Sequence, residues 1–214
     1  MQLALQQVYA LPLKEKILTH TSGMWMQDIA LEQGEYVFVQ APSGTGKTTL
    51  IHLLYGLRND YEGNISWDGK QLSATDSEAL AALRSKDVSV IFQDMRLFPE
   101  LTALENIEVK RTLTNTVDTT TIDGWMERLG IAHKKQSLAA TLSYGEQQRV
   151  AIIRALVQPY KWLLMDEPFS HLDNENIYKA AELIAEVTRQ NNAGMLLADL
   201  EDNNYFNYSR KIKL

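Results

Sequence analysis

Residues 36–54 read YVFVQAPSGTGKTTLIHLL, and the order of residue types within them decides the fold. Tyr36-Val37-Phe38-Val39-Gln40 is apolar and β-rich, and residues 48–54 suit a helix, so Ser43, Gly44, Thr45 and Gly46 fall in a strand-to-helix turn. The two glycines let the backbone curl until its N–H groups point inward, and the helix start adds partial positive charge, which together make a cradle for phosphate oxygens. Lys47 supplies a full cation for β- and γ-phosphates, and Thr48 offers a hydroxyl to Mg2+. Pro42 and Thr49 complete the stretch. Ala41 stands where the phosphate-loop pattern has Gly, which is acceptable only at negative φ. A Gly-rich turn with a chance lysine is the bland alternative, weakened by the flanking strand and helix.

Two further stretches carry their own logic. Residues 161–173 read KWLLMDEPFSHLD, a buried parallel strand at Trp162 to Met165 that delivers Asp166 and Glu167 at its carboxyl end. Asp166 there suits Mg2+ held through its water shell, and Glu167 suits orienting or deprotonating an attacking water. Seen alone, two solvated acids after a core strand read equally well. Residues 142–149 read LSYGEQQR, in which Ser143 and Glu146 form a capping box opening the apolar-periodic helix Val150, Ile153, Leu156, Val157, closed by Pro159. With flexible Gly145, that helix start presents free N–H groups to an anion, although a capping box is also simply how helices begin.

The stretches 41–49, Phe92-Gln93-Asp94, LSYGEQQR, LLMDEP and Ser170-His171-Leu172-Asp173, in that order, resemble the nucleotide-binding subunit of ABC transporters over nearly the whole chain. The wording of residues 92–107 and 142–156 is most similar to the branch of lipoprotein-release, macrolide-efflux and cell-division ATPases. The resemblance implies an α/β fold: a P-loop NTPase core with a mostly parallel sheet, an amino-terminal antiparallel β part and an inserted helical subdomain at about residues 94–157. It implies ATP and Mg2+ as ligands, with Glu167 and Gln93 catalytic, Gln93 touching Mg2+ and the attacking water, and Ser143 and Gly145 contacting the γ-phosphate on the opposite subunit. Asp173 would belong to a loop crossing the dimer interface. The implied partners are a second ATP-binding subunit, homomeric by default, and integral membrane permease subunits, placing the chain in the cytoplasm on the inner face of the cell membrane. The implied alternative is a slow or binding-driven ATP switch of the cell-division type, passing force or a signal to a membrane partner without moving a solute.

Three departures stand out. Ala41 is one; Tyr144 and Glu146 within LSYGEQQR are mild variants. More serious, the family places a histidine after the last core strand, and the corresponding segment here is 195–201, MLLADLE. The four histidines are His20, His52, His133 and His171, none of them there. The nearest candidate for the adenine-stacking aromatic is Tyr9, although a plain strand-end tyrosine is the stronger reading of it.

Length and composition bound the rest. A chain of 214 residues with 45% hydrophobic content fits one ATP-binding domain, 1–214, and is too short for two complete ATP sites, so the second must come from another chain. No run approaches a membrane span, and the first basic residue, Lys14, lies beyond any signal-like amino-terminal region. The formal charge of −6 gives no reason to expect nucleic acid, and Lys110-Arg111 and Lys134-Lys135 read as solvated faces. Zero cysteines exclude disulfide and thiolate chemistry. Short β-rich runs at residues 3–8, 25–31 and 64–67, with a hairpin turn at Asp68-Gly69, precede candidate parallel strands at 88–92 and 195–198. Between them, Thr102-Ala103-Leu104-Glu105 opens a helix, residues 112–121 read as a surface connection, and residues 122–129 form a helix ending at Gly130. Met95, Leu97, Phe98 and Leu101 could line the groove that, in the family, receives the permease. With Leu214 the last residue, no carboxyl-terminal regulatory domain is expected.

Overall fold

A computed structural model describes residues 1–19 and 21–214, so His20 lies outside the described residues. The elements run β1 (Gln2–Ala10), α1 (Lys14–Thr19), β2 (Asp28–Glu32), β3 (Tyr36–Gln40), α2 (Lys47–Leu54), β4 (Tyr61–Trp67), β5 (Lys70–Gln71), α3 (Ser77–Lys86), β6 (Val88–Ile91), α4 (Ala103–Thr114), α5 (Thr119–Arg128), α6 (Tyr144–Leu156), β7 (Trp162–Asp166), α7 (Asn174–Gln190), β8 (Gly194–Asp199) and β9 (Arg210–Lys213).

Two sheets result. β2-β1-β4-β5 is antiparallel, and its last pair turns at Asp68 and Gly69, both at positive φ as a tight hairpin requires. β6-β7-β8-β3-β9 is parallel throughout. Side-chain alternation divides the parallel sheet's two faces cleanly. Phe38, Leu163, Met165, Met195 and Leu197 enter one core with α5, α6 and α7, whereas Val37, Val39, Trp162, Leu164, Leu196 and Ala198 enter another with α2 and the antiparallel sheet. Because both faces are covered, these strands read as continuous apolar runs.

Strand order positions the chemistry. β8 lies between β3 and β7, so the turn after β3 and the acids after β7 meet over the end of β8. Some expectations shift. Residues 112–121 are not one connection: α4 runs to Thr114 before Asn115 turns the chain in the left-handed region, and α5 begins at Thr119, capped by Asp118. The capping box at Thr102 and Glu105 forms as read. Asn106, buried on α4, donates to the carbonyls of Phe98, Leu101 and Thr102 and accepts from the Phe98 N–H, tying the segment after Gln93 onto that helix.

Candidate active site

The turn between β3 and α2 takes the shape its glycines permit. Gly44 (φ 77°) and Gly46 (φ 106°) are both in the positive-φ region, and a Cβ on Gly46 would lie 2.5 Å from the Leu13 side chain. Ala41 is buried and is not among the positive-φ residues, so its Cβ carries no strain. Its N–H donates to the carbonyl of Asp199 (2.9 Å), and its own carbonyl accepts from Lys47 Nζ (2.9 Å). Thr45 closes the turn by donating its hydroxyl to the Pro42 carbonyl.

Lys47 Nζ also lies 3.2 Å from Glu167 Oε1, a pairing of two buried side chains. Glu167 follows β7 at φ 44°, a left-handed conformation that is unusual for glutamate and turns its carboxylate toward Lys47. Four bonds hold that turn: the Glu167 N–H donates to the Ala198 carbonyl, Gln148 and the Ser170 N–H donate to the Glu167 carbonyl, and Gln93 Nε2 donates to Glu167 Oε2 (3.1 Å). Thus Lys47, Gln93 and Glu167, far apart in the chain, converge on one carboxylate.

Asp166 differs in kind. It is buried, and neither carboxylate oxygen completes a hydrogen bond within the protein. Burial raises its pKa, the nearby Thr48 hydroxyl acting in the opposite direction and the Glu167 charge in the same one. A buried acid with both oxygens vacant beside a hydroxyl is an all-oxygen donor set suited to a small hard dication that keeps most of its waters. No group of three or more His, Cys, Asp or Glu side chains placed to hold a metal occurs among the described residues.

The signature stretch stands apart from this centre. Ser143 caps α6 reciprocally with Glu146, as the sequence implies. Gly145 is packed so closely that a Cβ would meet the His171 carbonyl at 2.9 Å. Tyr144 stacks on the His171 ring, centroids 5.3 Å apart, and Gln148 accepts from the His171 N–H while donating to the Glu167 carbonyl. Buried Gln148 therefore ties α6 to the segment carrying the acids. Its spacing within LSYGEQQR gives no sign of that role. Asp173 caps α7 through Asn176, whose N–H and amide bonds hold its carboxyl below the ordinary range.

Tyr9 directs its hydroxyl to Glu62, with Lys14 over its ring, and does not line the cavity of about 290 Å³ beside Ser43, Gly44 and Thr45, which Ile17 and Trp25 help enclose. Of the proposed groove residues, Met95 is buried in place, whereas Phe98 is half exposed. Where a histidine is absent, Asp199 ends β8, its carboxylate accepting from the Leu200 N–H (2.7 Å) and its pKa raised by burial and by the Glu167 charge.

A family model described as "ABC transporter" matches residues 27–170. The ABC transporter ATP-binding protein YbbA of Escherichia coli K12 is 35% identical over 173 residues, 79% of this chain and 76% of that protein. The lipoprotein-releasing system ATP-binding protein LolD of Shewanella frigidimarina is 34% identical over 165 residues, covering 74% and 69%. Among solved structures, the ATP-binding cassette MJ0796, in a dimeric post-hydrolysis state with ADP and Pi, superposes with a TM-score of 0.77 at 25% identity over 95% of this chain and 89% of that one. The chain belongs to the ABC transporter family and is an ATP-binding, ATP-hydrolysing cassette of it.

Proposed function

We propose that this ABC cassette dimerises around ATP and Mg2+ at the carboxyl ends of β3, β6 and β7 and drives integral membrane subunits from the cytoplasmic side. The convergence of Lys47, Gln93 and Glu167 beside the vacant oxygens of Asp166 carries the reading. The turn of residues 41–49 holds the phosphates, Lys47 exchanging Glu167 for the β- and γ-phosphates. Thr48, Gln93 and Asp166 hold Mg2+, which supplies charge neutralisation at the phosphates when bound. Glu167, released from Lys47, accepts a proton from the attacking water, and Gln93 orients that water. Ser143 and Gly145 reach the γ-phosphate of the second subunit, and Asp173 lies at the interface between the two. Residues 94–157, which carry α4, α5 and α6, act as the helical subdomain that meets the membrane subunits.

No helix among the described residues is long and apolar enough to cross a membrane, which agrees with a role beside membrane subunits. YbbA and LolD, an ABC transporter ATP-binding protein and a lipoprotein-releasing system ATP-binding protein, support the same class of complex. One observation favours a slow or binding-driven variant of this cycle: an acid, Asp199, stands at the end of β8, where the family has a histidine. The test is Mg-ATP turnover of the purified chain with Glu167→Gln as control, subunit mass being followed with and without ATP. Turnover abolished by the control supports hydrolysis at this site; turnover that survives it overturns the assignment. ATP-induced dimers with negligible turnover in the unaltered chain select the binding-driven variant.

A further inference from the structure

One side of α6 holds the segment carrying the acids through three of its residues. Tyr144 lays its ring on that of His171, and Gly145, having no Cβ, lets the His171 carbonyl come close. One turn on, Gln148 Oε1 accepts from the His171 N–H (2.9 Å). Positions 144, 145 and 148 are spaced i, i+1 and i+4, so they share one side of the helix. The other half of the Gln148 amide, Nε2, donates to the Glu167 carbonyl (3.3 Å), and the residue is fully buried. Neighbouring Gln147 points elsewhere, to the carbonyls of Ala139 and Leu142.

Two features make that amide more than a tie between elements. Glu167 sits at φ 44°, a conformation that a residue with a side chain keeps only where its surroundings impose it. Its carboxylate is held by Lys47 and Gln93, but in the proposed cycle Lys47 turns to phosphate, and backbone bonds then set the direction of the acid. On the N–H side the partner is Ala198 of β8. On the carbonyl side, among the described residues, the donors are Ser170, which belongs to the same turn, and Gln148, which comes from a separate element. The orientation of the amide is also forced: it faces a carbonyl at one end and an N–H at the other, so it must donate to the first and accept from the second. Glutamine does both; glutamate does so only when protonated.

We propose that Gln148 is a positioning residue for ATP hydrolysis, holding Glu167 from α6 in the left-handed turn from which its carboxylate acts on water. This deepens the function proposed above and rests on its assignment of Glu167 to the attacking water. Loss of the amide leaves the phosphate-binding turn, Lys47 and Asp166 in place. The cost therefore falls on kcat and spares ATP binding, which is the mark of a group that aims another rather than one that supports the fold.

The experiment follows phosphate release from Mg-ATP by the full chain, in single turnover with protein in excess, and ATP affinity by nucleotide titration, with Glu167→Gln alongside. Gln148→Met keeps length and removes both bonds. It is expected to slow release by about 10–10²-fold while ATP affinity stays within about twofold of the unaltered chain. Gln148→Glu gives a second measure, because its carboxylate cannot donate to the Glu167 carbonyl and its protonated form can. Its rate relative to the unaltered chain is expected to rise as pH falls from about 8 to about 6. The titratable groups nearby, Glu167 with its partner Lys47, Asp166, His171, Glu146 and Arg149, are common to both proteins, so the ratio isolates residue 148. Equal rates for Gln148→Met and the unaltered chain, rate and ATP affinity lost together, or a Gln148→Glu ratio that does not move with pH overturns the proposal alone. Where Gln148→Met does not fold, the Gln148→Glu ratio decides. Undiminished release by Glu167→Gln, or none by the unaltered chain, overturns the proposal together with the reading of Glu167.

Discussion

Lys47 and Glu167 form a buried ion pair across the end of β8, Nζ to Oε1 at 3.2 Å, joining the cation proposed to bind phosphate to the acid proposed to serve hydrolysis. Such a pair is costly to break by removing one partner, because the other is left charged in a poorly solvated place. On the proposed reading, nucleotide phosphates would avoid that cost by giving Lys47 a new anion as Glu167 is released to act on water. Glu167→Gln preserves size and the contact with Gln93 while removing the competing charge. The variant is expected to bind ATP more tightly and to lose turnover by about 10²–10⁴-fold, as measured by nucleotide titration and phosphate release. Full turnover in a folded variant would remove Glu167 from the chemistry.

Asp166 makes the opposite demand. Its pKa is raised in the folded state, so that state holds more protons than the unfolded chain between the ordinary carboxylate range and the raised value. Stability therefore falls as pH rises through that window and stays reduced at neutral pH, and Asp199 contributes in the same direction. Asp166→Asn removes the unpaired charge. It is expected to stabilise the nucleotide-free protein by about 1–3 kcal/mol at pH 7 and to abolish the extra thermal stabilisation that Mg2+ adds to ATP. Calorimetry across pH, with and without Mg2+, checks both signs; a destabilised apo variant counts against Asp166 as an unsatisfied buried acid.

The parallel strands, the phosphate-loop turn and both capping boxes were legible in the sequence because each is a local pattern: short apolar β-rich runs such as that around Phe38, glycines at 44 and 46, and Ser143 and Glu146 three residues apart. The convergence of Gln93 and Glu167 was legible only through family resemblance, since strand order, not spacing, brings them together. Gln148 went unnoticed because its two bonds, to Glu167 and His171, depend on how α6 lies against the segment after β7. Lys110 was misread for a related reason. A Lys-Arg pair on a helix looks solvated until Gln158 and Arg84 arrive from elsewhere in the chain.

That misreading has a stability consequence. With its pKa lowered to about 8, Lys110 is charged at pH 7 at a cost on the order of 3 kcal/mol relative to a solvated lysine. The unfolded chain binds more protons than the folded one between about 8 and the ordinary lysine value of about 10.4, so stability rises with pH across that interval. Lys110→Met keeps the stem and removes the charge. It is expected to be more stable than the unaltered protein at pH 7 and to lose most of that advantage near pH 10, as read from denaturant midpoints. An equal difference at both pH values would show that the gain comes from packing.

Asp199 poses the remaining question, because it occupies the end of β8, and its carbonyl is bonded to the Ala41 N–H at the start of the phosphate-binding turn. A carboxylate there lies close enough to Glu167 for their charges to interact unfavourably and would also oppose an incoming phosphate. A histidine could instead donate a hydrogen bond, and a charge-assisted bond of this kind corresponds to about tenfold or more in rate if it forms only as the phosphate is transferred. Asp199→His is accordingly expected to raise turnover by about that factor, whereas Asp199→Asn, which removes charge but offers no imidazole, gains less. Parallel phosphate-release assays on the two variants separate the causes. Equal gains make the carboxylate's repulsion the limit, and an unchanged rate in a folded Asp199→His places the limiting step elsewhere.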